Sequence, residues 1–144
     1  MISATLRGMA KAPPPYEALE TEEQIEDIMR EGGGTVVLDF WSETCGPCMA
    51  MAADFEHVAA QFEANEVRFC KVNTGSHGHL AAPFNIRSIP TILFIHDGKI
   101  LDAVVGKMNA QALGEKAEWL LAKSQKKPGL FSKLFGGRKA AQPG

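Results

Sequence analysis

Cys45-Gly46-Pro47-Cys48 sets two thiols three residues apart across a proline-containing turn, inside the stretch TVVLDFWSETCGPCMAM from Thr35 to Met51. Sulfurs at this spacing can close and open as a disulfide, or supply two of the four ligands of a zinc ion. Zinc sites usually pair two such motifs, and this chain has no second one: Cys70 stands alone, with His57, His77 and His79 the remaining candidate ligands. The flanks favour redox chemistry. Pro47 is pre-set for a first helical turn and Met49 to Phe62 is helix-forming, so Cys45 is expected to face a helix N-terminus. Unpaired backbone N–H groups and the positive end of the helix dipole stabilise a thiolate there, which makes the sulfur nucleophilic at neutral pH. Cys48, one helical turn on, can attack the sulfur of Cys45.

The turn needs a rigid support, and the sequence supplies one immediately upstream. Val36, Val37, Leu38 and Phe40 form an apolar, β-branched run, as expected of an inner strand covered on both faces. Asp39 sits inside that run, where a carboxylate left uncompensated costs several kcal/mol. Earlier in the chain, Tyr16 to Leu19 reads as a short strand. Thr21 and Gln24 then offer a capping box for a helix bearing Ile25, Ile28 and Met29, which Gly32-Gly33-Gly34 ends. After the turn, Phe55, Val58, Ala59 and Phe62 recur at core-facing spacing, with Met49 and Met51 expected to pack. Val67 to Asn73 reads as a strand holding Cys70 as a small core residue, and Ser76 to Phe84 as a short helix with a serine cap. Thr91 to His96 and Lys99 to Val105 flank Asp97-Gly98, a hairpin signal. Asn109 caps a last helix bearing Leu113, Ala117, Leu120 and Leu121, with Trp119 at its edge. The order predicts an α/β fold, a mixed sheet of four to five strands between helical layers, with the cysteine turn at the carboxyl end of a central strand.

Phe40-Trp41, then CGPC, then Ile89-Pro90-Thr91, then Gly106 after strand-like residues together resemble the thioredoxin family, over roughly Tyr16 to Lys123. The resemblance implies the thioredoxin fold and a dithiol/disulfide reaction on proteins, with Cys45 attacking and Cys48 resolving. It further implies that Asp39 is a buried carboxylate behind Cys48, with a raised pKa, accompanied by Lys71 and able to accept the resolving proton. A structural Asp39–Lys71 pair is the alternative. Pro90 matches the family's cis-proline, which leaves the Ile89 backbone free to pair with an extended substrate. Gly106 resembles the small residue that keeps the substrate groove open; Trp41 is expected beside the turn, where Gly46 and Pro47 also meet substrate. Three positions depart from the common pattern. Thr44 stands where a tryptophan is usual, Met49 where a lysine is, and Ala53 where a helix-kinking proline is, which bears on partner choice.

The chain of 144 residues is long enough to bury a core without staples, and two of its three cysteines share one turn, an arrangement suited to a cytoplasmic redox site. The net charge of −2 hides a division: from Lys123 onward there are six basic residues and no acidic one, whereas Met1 to Ala122 carries nine basic and 17 acidic residues. The expected layout is a flexible leader over residues 1–15, a domain over 16–123 and a basic tail over 124–144. No stretch approaches the ~20 apolar residues of a membrane span, and the leader lacks the apolar core of a secretory signal. In the tail, Leu130, Phe131, Leu134 and Phe135 would share one side of a short helix beside Lys133. At about two turns that helix is too short to form alone, so a partner or lipid must order it; a solubilising disordered tail is the alternative. The reading that follows is a protein-disulfide reductase, monomeric, without cofactor or metal, recycled by a thioredoxin reductase or equivalent donor and with no nucleic-acid partner. A thioredoxin-fold binding module with little turnover is the alternative.

Overall fold

The computed structural model describes residues 12–125; the leader before Ala12 and the tail from Lys126 lie outside the described residues. Five strands form one sheet: β1 (Glu17–Ala18), β2 (Thr35–Trp41), β3 (Val67–Asn73), β4 (Thr91–His96) and β5 (Lys99–Val105), in the order β1-β3-β2-β4-β5. β3 runs parallel to β1 and β2, whereas β4 is antiparallel to both β2 and β5. Three helices cover the sheet: α1 (Glu22–Met29), α2 (Gly46–Gln61) and α3 (Ala110–Ser124).

Strand alternation divides the core in two. Val37, Phe69, Ile92 and Phe94 meet Phe55 and Val58 of α2 and Leu113 and Leu120 of α3, while Val36, Leu38, Phe40 and Leu93 meet Ile25 and Ile28 of α1 on the other face. β2 is paired along both edges and buried from Thr35 to Phe40, as its apolar run requires. Phe40, Phe55, Phe69 and Phe94 are among the fully buried side chains, and truncating one such ring to alanine costs about 3–5 kcal/mol.

The end signals are largely met. Gln24 N–H donates to Thr21 Oγ1 and Thr21 N–H to Gln24 Oε1, closing the capping box on α1. Asn109 Oδ1 accepts from Ala112 N–H at 2.8 Å to start α3. α2 begins at Gly46, ahead of the expected Met49, because Cys45 caps it. Asp97 (φ 56°) and Gly98 (φ 78°) both take left-handed conformations in the β4–β5 turn. A Cβ on Gly98 would also collide with the Met29 carbonyl oxygen, so the hairpin tip packs on the end of α1.

Four expectations are corrected. Ser76 to Phe84 is not one capped helix but two separate 3₁₀ turns, Gly78–Leu80 and Ala82–Phe84. Asn73 Oδ1 accepts from the Gly75 and Ser76 N–H groups, the Ser76 hydroxyl bonds the His77 ring, and Pro83 brings no N–H to a continuous helix. The first strand shrinks to Glu17–Ala18, although Leu19 N–H still donates to the Lys71 carbonyl at 2.8 Å. Met49 does not pack: it is 47% exposed, whereas Met51 is buried and its sulfur accepts from Met108 N–H. Leu121 is only partly buried at the edge of the α3 core.

Candidate active site

Cys45 occupies the N-cap of α2 with extended backbone (φ −96°, ψ 107°), and Gly46 and Pro47 form the first helical positions, both exposed. A local reason underlies this start: proline loses nothing by lacking an N–H in the first turn, where no intrahelical acceptor exists. Cys45 and Cys48 are joined as a disulfide with their Cα atoms 5.2 Å apart. Cys48 N–H donates to Cys45 Sγ at 3.2 Å, so a free amide of the helix end already points at that sulfur. Cys45 is half-buried while Cys48 is 2% exposed, which leaves Cys45 as the sulfur open to a partner.

The segment before β4 closes over this turn. Ile89–Pro90 is a cis peptide, and the Ile89 carbonyl oxygen lies 3.7 Å from Cys45 Sγ. The Pro90 carbonyl accepts from Gly106 N–H at 2.8 Å, and Thr91 Oγ1 donates to the Ser88 carbonyl at 2.6 Å. Gly106 has φ +112°, a conformation side chains rarely adopt, which explains glycine where β5 leaves the sheet against Pro90. Ile89 is half-buried, and its N–H makes no backbone hydrogen bond among the described residues.

Asp39 and Lys71 are register partners on β2 and β3, 1% and 6% exposed. They form no direct ion pair. Asp39 Oδ1 has no hydrogen-bond partner among the described residues, and Lys71 Nζ instead lies over the Trp41, Tyr16 and Phe55 rings at 4.6, 5.1 and 5.4 Å from their centroids. Burial pushes the Asp39 carboxyl up to about 7, against the pull of the Lys71 charge. Burial lowers the Lys71 ammonium, opposed by Asp39 and Glu56. The half-buried Trp41 thus serves as a wall of the lysine site. Tyr16 and Phe55 join it from two further segments, and no local pattern in the sequence announces that meeting.

The expected residues therefore fall into two linked groups. Cys45, Gly46, Pro47 and Ile89 share the surface around the disulfide, with Cys48 buried beneath it and Pro90 and Gly106 bonded to each other next to Ile89; Asp39, Lys71 and Trp41 lie in the strands behind. Thr44 and Met49 are both exposed on either side of the turn, and the Thr44 hydroxyl is 3.2 Å from that of Ser42. Cys70 is fully buried, and burial first, then the charge of Glu17, pushes its thiol up to about 12. The His77 and His79 rings stand 6.3 Å apart. Among the described residues no three His, Cys, Asp or Glu side chains gather as a metal cluster, and no helix is long and apolar enough to cross a membrane.

A family model described as Thioredoxin matches residues 17–118. The thioredoxin of Chlorobaculum thiosulfatiphilum is 32% identical over 103 residues, covering 72% of this chain and 93% of its own. Thioredoxin 1 of Synechococcus elongatus is 36% identical over 89 residues, covering 62% and 82%. Among solved structures, the thioredoxin of Malassezia sympodialis superimposes with a TM-score of 0.62 at 26% identity, covering 76% of this chain and 90% of the other.

Proposed function

Because the chain belongs to the thioredoxin family and is a thiol–disulfide oxidoreductase, we propose that it reduces disulfides in other proteins through Cys45 and is recharged by a thioredoxin reductase or equivalent electron donor. The observation that carries this reading is the pair of sulfurs on one helix end, one open and one buried, with Cys48 N–H directed at Cys45 Sγ. In the reduced protein the Cys45 thiolate attacks one sulfur of the substrate disulfide. That S–S bond breaks, one substrate sulfur leaves as thiolate, and a mixed disulfide forms on Cys45. The Cys48 thiol then loses its proton to the Asp39 carboxylate, directly or through water, and its sulfur attacks Cys45 Sγ. The second substrate sulfur leaves, and the Cys45–Cys48 disulfide remains. Two electrons have passed to the substrate, and the donor returns them with two protons.

An Asp39 carboxyl titrating at about 7 can both accept and release a proton near neutral pH, which supports giving it that role. Lys71 sets its charge balance. The Ile89 N–H, without a backbone partner among the described residues, and the nearby carbonyl suit an extended substrate segment laid beside Pro90 and Gly106, over the surface of Gly46, Pro47 and Trp41. The protein acts as a monomer in the cytoplasm as an electron carrier, with residues 16–123 as the working domain between a leader and a basic tail. That tail makes a weak, salt-sensitive contact with an acidic surface.

Insulin reduction with a thioredoxin reductase, comparing the protein with Cys45→Ser, tests the reading. Turnover that disappears in the variant is the expected result. A folded protein that does not turn over would favour the binding-module alternative, for which the exposed Thr44 and Met49 are the specific motive.

A further inference from the structure

A groove of about 540 Å³ runs on the face of the sheet opposite α2, lined by Ile25, Met29, Leu80 and Ile100 together with Glu22 and Glu26 of α1. It shares no residue with the cysteine turn. Ile100 is 46% exposed, so the groove offers apolar surface beside two carboxylates.

The chain itself contains a matching segment. Beyond Gln125 lie 19 residues, reading KKPGLFSKLFGGRKAAQPG, with two leucines and two phenylalanines among five basic residues and no acidic one. α3 ends on the other face of the sheet, at the end where the β4–β5 turn meets α1. Ser124 and Gln125 share a cavity with Gly34 and His96. Gly34 accepts from Asp97 N–H, and Gly98, the next residue, packs on the backbone of Met29, which lines the groove. Lys126 to Gly129 can span up to ~14 Å when extended, and must cross at this turn to reach the groove.

We propose that Leu130, Phe131, Leu134 and Phe135 dock in the α1 groove of the same molecule, with the neighbouring lysines against Glu22 and Glu26. The contact rests on the reading above that the tail seeks an acidic surface, and it names that surface. Intramolecular docking raises the local concentration of the segment to the millimolar range, so contacts too weak for a free peptide suffice.

Full-length protein, as an equal mixture of nitrogen-15-labelled and unlabelled copies, is treated with a carbodiimide and mapped by mass spectrometry. Glu22 or Glu26 should be joined to Lys126, Lys127 or Lys133 within one isotopic copy, and the charge-neutral Phe131→Ser/Phe135→Ser should lower that yield by about tenfold or more. An unchanged yield in the variant would overturn the proposal, since charge alone would then explain the contact. Links between labelled and unlabelled copies would overturn it in favour of a second molecule. Phosphatidylserine vesicles form the other arm: co-sedimentation without groove links leaves the acidic-surface reading standing and removes the groove, whereas neither signal removes both.

Discussion

Asp39 and Lys71 stand opposite each other on adjacent parallel strands, yet the ammonium turns to the aromatic rings and leaves Asp39 Oδ1 unpartnered. Aromatic faces hold a desolvated cation by their quadrupoles. The lysine is thereby accommodated without neutralising the carboxylate, which stays close enough for its charge to be felt and too poorly solvated to ionise at its ordinary pH.

Asp39→Asn should change how stability depends on pH. The carboxyl titrates at about 7 when folded and near 3.9 when unfolded, so the folded state holds the proton more tightly. Its contribution is full below pH ~4 and is lost as pH rises through about 7, an effect of at most roughly 4 kcal/mol. Urea unfolding of the oxidised protein should show the wild type weakening between pH 4.5 and 8 relative to the variant. Parallel profiles would mean that Asp39 is ionised throughout.

Lys71→Met should act through Asp39. The Lys71 charge holds the Asp39 carboxyl down, so its removal raises that pKa further, while methionine still fills the space between the rings. The acid limb of kcat/KM for insulin reduction should move to higher pH. A limb that stays in place would detach Lys71 from proton transfer.

Thiol reactivity should separate the three cysteines. In reduced protein, iodoacetamide should label Cys45 first, with an apparent pKa below the ordinary ~8.5, and Cys48→Ser should accumulate mixed disulfides on Cys45. Cys70, fully buried with its thiol pushed up to about 12, should stay unlabelled until the protein unfolds. Early labelling of Cys70 would contradict its place in the core.

Gly98→Ala should destabilise without touching the site. It combines a left-handed φ of 78° with a collision against Met29, a cost of about 2 kcal/mol and a drop in Tm of roughly 10 °C for a domain this size. Insulin reduction at 20 °C should remain near wild type. A melting point within two degrees of wild type would show that the hairpin tip moves freely off α1.

Much of this was legible because it is local. The apolar run of β2, the Thr21–Gln24 box, the Asp97-Gly98 turn and the capping by Asn109 each depend on residues within a few positions of one another, and all are present. Ser76 to Phe84 misled because the Ser76 hydroxyl bonds the His77 ring instead of capping a helix, Asn73 accepts from the Gly75 and Ser76 N–H groups ahead of it, and Pro83 breaks what remains. The cage around Lys71 was hidden for another reason. Tyr16, Trp41 and Phe55 come together only after β1, β2 and α2 are assembled, so no spacing in the chain encodes their meeting.

The cysteine turn follows directly from β2, the strand paired on both edges and buried from Thr35 to Phe40. Amides in such a strand exchange with solvent through openings close to global unfolding. The reactive sulfurs are thus tethered to the last part of the molecule to come apart. Heating or denaturant will extinguish exchange activity and sheet structure in a single cooperative event, and a partly melted copy does not survive as an unguided thiol donor.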